Sequence, residues 1–256
     1  MRHASSSRLL ASGLATLLLI FDSMDLSLLV ENLAQVRARI EDAARRSGRG
    51  ADEITLVAVT KYVEIEIARA LVEAGCTDLG ESRPQELWRK AEQMSDLAVG
   101  WHLIGHLQRN KVKRTLDYAG WIQSTDSVRL LETLEEQTDG RSLRLPVLIE
   151  VNISGDTEKH GFTPQELEGL LPRLGKFSRL EVRGLMCMAS LTGDRDRARE
   201  DFANLRLLRD RLRPECPEGV SLEELSMGMS RDYDVAILEG ATIVRVGSAL
   251  FEGVRP

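Results

Sequence analysis

Eight segments with the pattern of buried β-strands alternate with helical patterns along this chain, and this alternation restricts the fold more than any other feature. The first segment, 54–60, is a continuous apolar run that is rich in β-branched residues and too short for a helix, as expected for a strand covered on both faces. The other seven lie at 77–80, 101–104, 121–124, 145–152, 180–188, 222–226 and 241–246. Strands that alternate with helices predict a parallel sheet.

The helical patterns begin before the first strand and fill the intervals between strands. The leading helix carries apolar residues three or four positions apart, with charged residues between them: Leu29, Leu33, Val36, Ile40 and Ala43. Further helices are predicted at 63–74, 84–94, 108–118, 127–137, 163–176, 195–212 and 233–239. Thr163 and Glu166 have the spacing of a capping box around Pro164, which predicts a helix start at that point.

Eight β/α units that follow one another without a linker have the size of a TIM barrel, which typically needs about 250 residues. We therefore predict the α/β class and a single (β/α)8 TIM barrel with an added N-terminal helix. A doubly wound sheet fits less well, because no G-x-G-x-x-G motif follows the first strand and the strand count reaches eight.

Charge and cysteine content limit the classes of partner and compartment. The chain carries 34 Lys and Arg against 40 Asp and Glu, a net charge of −6, and its basic residues are scattered, which disfavours nucleic acid as a partner. Cys76, Cys187 and Cys216 form no C-x-x-C pair and leave one cysteine over, which indicates a reducing compartment without structural zinc. We therefore expect a cytoplasmic protein that does not bind membranes.

Residues 1–23 have the outline of a secretory signal, with Arg2 and Arg8 before an apolar run from Leu9 to Phe21. No small-residue cleavage pattern follows that run, and the run is too short to span a bilayer. We interpret 1–23 as an over-extended start or a loose extension, with the domain at 24–256. An export or anchoring signal is the alternative.

The functional groups of a β/α barrel stand at the C-terminal ends of its strands. By this rule Lys61, which follows the first strand, begins inside the barrel mouth rather than in solvent. A lysine in that position is suited to form a Schiff base with an aldehyde. The alternative interpretation is an ordinary solvated charge in a loop.

The loops after strands 7 and 8 of such barrels commonly bind phosphate. Here both loops contain glycine, which allows close backbone approach, and serine, which offers a hydroxyl donor. The candidate phosphate-binding residues are Ser226, Gly228, Ser230, Gly247 and Ser248.

Arg245 lies between β-branched neighbours in the last strand, so it is expected to be buried and to need a partner. A carboxylate such as Glu150 or Glu223 is the simplest partner.

Two further patterns are interpreted as structural. His102 and His106 lie four positions apart, but they flank a strand end and no glutamate follows His102 as in H-E-x-x-H, so we predict no metal site. The Met-Cys-Met cluster at 186–188 is predicted to fill the barrel, because a thiol between two methionines lacks the positive surroundings that produce a thiolate.

Six motifs occur in order along the chain: VAVTK at 57–61, GES at 80–82, WHLIGHLQRNK at 101–111, GLM at 184–186, SMGMS at 226–230 and RVGS at 245–248. Together they resemble the pyridoxal-phosphate homeostasis protein family (YggS/PROSC family), from about residue 25 to the end of the chain. That family is similar in fold to the barrel domain of alanine racemase, the fold type III of pyridoxal-phosphate proteins.

The resemblance implies a cofactor, pyridoxal 5'-phosphate, and a role for each candidate residue. It implies that Lys61 carries the cofactor as a covalent Schiff base, that Arg245 faces the pyridine nitrogen, and that the five candidate phosphate-binding residues surround the phosphate. One position departs from the family pattern. Ser82 stands where family members usually have asparagine, so a hydroxyl replaces that side-chain amide.

The resemblance also implies a function, intracellular pyridoxal-phosphate homeostasis, in which a monomer buffers the free cofactor and delivers it to apoenzymes with little turnover of its own. A racemase or decarboxylase of alanine racemase-like fold is the alternative, and a class I aldolase is a third. Only ten residues follow the last strand, which favours the carrier, because alanine racemase takes its second catalytic base, a tyrosine, from a further domain.

Overall fold

The computed structural model describes residues 26–254, except for 141, 157 and 191–193, and its sheet is a closed barrel of eight strands in sequence order. The strands are β1 Thr55–Val59, β2 Asp78–Glu81, β3 Gly100–Leu103, β4 Trp121–Thr125, β5 Leu145–Glu150, β6 Leu180–Met186, β7 Val220–Ser226 and β8 Ile243–Val246. Each pairs in parallel with its neighbour, and β8 closes the barrel against β1. The predicted TIM barrel is confirmed.

The α-helices that the structure describes lie between these strands, apart from the first, which precedes β1. They are α1 Leu26–Arg46, α2 Ile65–Glu73, α3 Pro84–Gln93, α4 Val112–Thr115, α5 Val128–Thr138, α6 Pro164–Leu174, α7 Arg195–Leu212 and α8 Tyr233–Leu238. Thr163 caps α6 and forms the predicted capping box with Glu166. Within the described ranges, no helix is both long and apolar enough to cross a membrane.

The leading helix α1 belongs to the layer of helices that surrounds the barrel. It packs against α8 and α2, the helices that follow β7 and β1, so it covers the outside of the barrel beside β8. Its buried face contains the residues that the helical spacing selects, and Asn32 donates hydrogen bonds to the backbone oxygens of Leu250 and Glu252 at 3.2 and 2.9 Å. The predicted extension 1–23 and its boundary at residue 24 lie outside the described residues.

The interior of the barrel is divided between apolar and polar side chains. An apolar cluster inside the barrel contains Val57, Leu148, Met186 and Ile243. His102, Gln123, Ser226 and Arg245 are also buried, although each carries polar atoms that need partners. The C-terminal ends of the strands are here called the mouth of the barrel.

Candidate functional site

Closure of the barrel brings the first and the last strand together at the mouth. Strand β1 pairs with β8 in the register Ala58 to Val246, so the residues after β1 lie beside the residues after β8. A side-chain carbon added to Gly247 would stand 3.3 Å from the carbonyl oxygen of Val59. Lys61 and the loop that begins at Gly247 are therefore neighbours, although 186 positions separate them in sequence (247 − 61).

The side chain of Lys61 does not start inside the mouth, and the expectation that it lies out of solvent is wrong. Lys61 is exposed, and its Nζ stands 4.9 Å from the centre of the Tyr62 ring. Thr60 is the last buried residue of this segment, because the chain turns outward at the rim directly after it. Lys61 is therefore placed on the rim, with its ammonium group over an exposed aromatic ring.

A buried ion pair fixes the backbone below Lys61. The Nζ of Lys90 donates to the Glu81 carboxylate at 2.7 Å and to the carbonyl oxygen of Thr60 at 2.5 Å, and the Thr60 hydroxyl donates to the same carboxylate oxygen at 2.7 Å. A charge this deeply buried is tolerated only when it is paired. These contacts hold the peptide that presents Lys61, and the sequence analysis did not identify them.

The loops after β7 and β8 contact each other, as expected if both bind one phosphate group. The Ser230 Oγ accepts hydrogen bonds from the backbone N–H groups of Gly247 and Ala249 at 3.1 and 3.3 Å. Gly228 has a φ of +91°, and a side-chain carbon there would come within 2.8 Å of the Tyr233 Cα, so only glycine fits this close turn. Ser248 is exposed beside them.

Arg245 is buried, as predicted, but its hydrogen-bond partners are not carboxylates. Its Nη1 donates to the Ser226 hydroxyl at 2.5 Å and its Nη2 to the backbone oxygen of Cys187 at 2.8 Å. Glu223, one of the two expected partners, pairs instead with Arg213 on the outer surface. Burial lowers the pKa of the Arg245 guanidinium, which Glu150 opposes through its charge alone.

Cys187 confirms the interpretation of the Met-Cys-Met cluster as packing, with one exception. Cys187 and Met186 are fully buried, and burial raises the pKa of the Cys187 thiol to about 12, far from the range of a reactive thiolate. Met188 is 37% exposed at the rim, since the chain leaves β6 at Met186.

The two histidines that suggested zinc lie apart. His102 is inside the barrel, bonded to Gln123 and Asp78, whereas His106 is at the mouth.

His106 belongs to a different group, which the sequence analysis missed. Its Nδ1 lies 2.6 Å from the Asp126 carboxylate, and its ring stacks on that of His160 with the centres 4.9 Å apart and the planes 22° from parallel. Ligand atoms of the three residues lie within 4.8 Å of one another. The three side chains are therefore close enough together to hold a metal ion.

Glu150, at the end of β5, is a buried carboxyl group of the mouth with a perturbed pKa. Its side chain is buried, and burial together with the negative charge of Asp126 raises its pKa to about 7, although Arg245 and His106 oppose the shift. In the unfolded chain a glutamate titrates near its ordinary pKa, about 4.3. Folding therefore favours the protonated form of Glu150 between these two values.

This shift predicts that Glu150→Gln will stabilise the protein as the pH rises. Well below pH 4.3 the wild-type carboxyl is protonated in both the folded and the unfolded protein, so it does not lower the free energy of unfolding. Between about pH 4.3 and pH 7 the carboxyl ionises in the unfolded chain but stays protonated in the folded protein, so the free energy of unfolding falls. Above about pH 7 both forms are ionised and the loss is complete. We expect the free energy of unfolding of the variant relative to wild type to increase by about 2.5 kcal/mol between pH 5 and pH 8.

Urea unfolding of the cofactor-free protein at the two pH values measures this difference. Glu223→Gln is the matched control, because its carboxylate is exposed and paired with Arg213, and it should show little pH dependence. A constant difference between Glu150→Gln and wild type across this range would show that Glu150 ionises normally.

Comparison with known proteins places this architecture in one family. Residues 25–256 match the family model described as the alanine racemase N-terminal domain. The chain is 37% identical over 226 residues to the pyridoxal phosphate homeostasis protein of Pseudomonas aeruginosa, covering 88% of this chain and 96% of that protein. It is 39% identical over 221 residues to the protein of the same name from Aquifex aeolicus, covering 86% and 96%.

A solved structure agrees with these matches. PipY of Synechococcus elongatus, with pyridoxal phosphate (PLP) bound, superposes with a TM-score of 0.77 at 32% identity, covering 87% of this chain and 99% of that chain.

Proposed function

This chain belongs to the pyridoxal phosphate homeostasis protein family, and we propose that it binds pyridoxal 5'-phosphate at the mouth of its barrel and acts in the homeostasis of that cofactor. The observation that carries the proposal is that Lys61, Arg245 and the two serine- and glycine-containing loops lie in or directly after three adjacent strands, β7, β8 and β1. The PipY structure holds the same cofactor in a barrel that superposes on this one.

The groups at the mouth fit the chemistry of the cofactor. The backbone N–H groups of Gly247 and Ala249 converge on a single oxygen, that of Ser230, which is the arrangement that binds an anionic oxygen. Ser248 adds an exposed hydroxyl next to them. We assign phosphate binding to this group together with Gly228. The expected contact of the Ser226 side chain with the phosphate is dropped, because its buried hydroxyl already donates to Gln123 and accepts from Arg245.

When bound, pyridoxal 5'-phosphate supplies an aldehyde that condenses with a lysine amine, and Lys61 is the residue that we assign to it. Its peptide is held by Lys90 and Glu81, while its side chain is exposed and free to turn towards the neighbouring β8 loop. Arg245 is assigned to the pyridine nitrogen. Because a guanidinium has no proton acceptor and stays charged, it donates to that nitrogen and does not promote its protonation.

The assignment of Arg245 fits a carrier, although an arginine at the ring nitrogen does not by itself prevent racemisation. Carbanion chemistry on this cofactor is strongest when a carboxylate keeps the ring nitrogen protonated, and here an arginine is assigned to that place. We therefore propose buffering of the cofactor and its delivery to apoenzymes, by a monomer in the cytoplasm. The three cysteines are free, which is consistent with a reducing compartment.

Cofactor transfer is the direct test of this function. The purified protein is loaded with pyridoxal 5'-phosphate, freed of excess cofactor and mixed with a cofactor-free aminotransferase whose activity is followed. We expect the loaded protein to restore that activity, and protein treated with borohydride, which makes a Schiff base permanent, to restore none. A wild-type protein that retains no cofactor would refute the proposal.

A racemase is the second candidate, because Tyr62 is 85% exposed beside Lys61 and could serve as a second base. We expect turnover well below about 1 per second, the low end for ordinary enzymes. The measurement is Cα exchange and D-isomer formation from L-alanine and other L-amino acids in deuterated water. Turnover at or above that rate, abolished in Tyr62→Phe, would establish the racemase instead.

A further inference from the structure

A continuous chain of hydrogen bonds runs through the inside of the barrel from Arg245 to its opposite end. Arg245 Nη1 donates to Ser226 Oγ at 2.5 Å, and Ser226 Oγ lies 2.7 Å from Gln123 Oε1. Gln123 Nε2 lies 2.8 Å from His102 Nδ1, and His102 Nε2 lies 3.0 Å from Asp78 Oδ1. The residues come from β8, β7, β4, β3 and β2, so five of the eight strands contribute.

Arg245 and Asp78 at the two ends of this series, together with the orientation of the Gln123 amide, set the direction of each hydrogen bond. A guanidinium can only donate, so the Ser226 oxygen accepts and its single proton goes to the Gln123 carbonyl oxygen. The Gln123 amide nitrogen must then donate to His102 Nδ1. In this arrangement His102 Nδ1 accepts, and Nε2 donates to the Asp78 carboxylate, which can only accept.

Burial and ring stacking restrict the central members of this series of hydrogen bonds. Ser226 and Gln123 are fully buried and His102 nearly so, which leaves no water to replace a lost partner. The ring of His102 is further restrained by stacking on Trp121, with the centres 5.6 Å apart and the planes 13° from parallel. Only Asp78, whose side chain is 38% exposed, reaches solvent.

We propose that Gln123 and His102 are positioning residues for the cofactor, which act by holding the Arg245 guanidinium, through Ser226, at the place where the pyridine nitrogen binds. This inference rests on the proposed function. This series of hydrogen bonds is needed because Glu150 and Asp232 also attract Arg245 electrostatically. A guanidinium released from Ser226 would move towards them.

The first arm of the test needs no cofactor. In ¹⁵N-labelled wild-type protein, the imidazole nitrogen shifts of His102 should show an unprotonated Nδ1 and a protonated Nε2. In Gln123→Glu, a carboxylate faces Nδ1 and can only accept, so we expect His102 to carry protons on both nitrogens. A protonated Nδ1 in the wild type, or an unchanged His102 in Gln123→Glu, would overturn the assigned direction and the inference with it.

The second arm uses the loaded protein. Gln123→Met keeps the approximate length of the side chain and removes both hydrogen bonds, so Ser226 loses its acceptor. We expect the Kd for pyridoxal 5'-phosphate to rise about two- to tenfold, the value of a hydrogen bond, and the visible absorption maximum of the bound cofactor to shift. Ser124→Ala is the matched control, because it removes a buried hydroxyl on the same strand whose bond goes to the Gly105 carbonyl oxygen instead.

The outcomes separate this inference from the proposed function. If wild-type protein binds the cofactor and Gln123→Met matches it in both affinity and spectrum while Arg245→Lys does not, the inference is wrong and the function stands. If wild-type protein binds no cofactor, the function and the positioning role both fall. Should Gln123→Met fail to fold, Gln123→Glu, which preserves volume and polarity, is measured in its place and is expected to shift the same spectrum.

Discussion

Protein with Lys61→Ala is expected to lose the covalent, coloured complex with pyridoxal 5'-phosphate completely, the largest effect that any single substitution should have. The physical reason is that only an amine can condense with the aldehyde, and Lys61 is the lysine that lies next to the β8 loop. The phosphate and ring contacts remain, so weak, non-covalent binding should persist. Visible absorbance of protein freed of excess cofactor measures the loss.

Borohydride reduction followed by peptide mapping tests the same assignment without disturbing the protein. The reduced label should be found on Lys61. Lys113→Ala removes an exposed lysine on α4 and should bind cofactor as the wild type does. A label on another lysine with Lys61 unmodified, or a stoichiometric coloured complex in Lys61→Ala, would disprove the assignment.

The barrel could be predicted from the sequence because its signal is repeated eight times. The strongest strand patterns, 54–60 and 145–152, are largely apolar and β-branched, since a parallel strand is covered on both faces, and each predicted strand overlaps an observed one. The boundaries were less accurate. The helix predicted at 108–118 is a 3₁₀ turn at Arg109–Lys111 followed by the short α4, Val112–Thr115, because basic residues with weak apolar spacing do not determine how far a helix extends.

Only those parts of the site that directly follow a strand could be predicted, because their place in the sequence also gives their place in the barrel. The rule that functional groups follow the strands selected Lys61 and the loops after β7 and β8, and the structure brings these segments together. The rule gives no side-chain direction, so it missed the exposure of Lys61.

Buried polar partners were missed for a related reason. Lys90 falls on the apolar face of α3 between Leu87 and Ala91, which is a sequence signal for a buried, paired lysine, but its partner Glu81 is on another element. Gln123 and His102 are separated by 21 positions, and no local pattern connects them. Contacts of this kind depend on the register between strands, which a single sequence does not specify.

The loss of affinity expected from the serine substitutions is the second large effect, and it separates phosphate binding from ring binding. Ser230 Oγ already accepts two backbone N–H groups, which leaves its own proton available to an anion, and Ser248 presents a second hydroxyl. Each donor to a phosphate dianion is worth about 1.5–3 kcal/mol, so Ser230→Ala or Ser248→Ala should weaken binding of pyridoxal 5'-phosphate roughly tenfold to a hundredfold.

The colour at saturation should survive these substitutions, because Lys61 is intact. The decisive comparison is with pyridoxal, which has the same ring and aldehyde but no phosphate, and whose affinity the substitutions should leave nearly unchanged. Ser221→Ala, at the opposite end of β7, is the matched control, since its hydroxyl bonds to the Arg183 carbonyl oxygen away from the mouth. Equal losses for the two ligands would mean that the serines shape the mouth as a whole, and unchanged affinity in the double variant would place the phosphate at another loop.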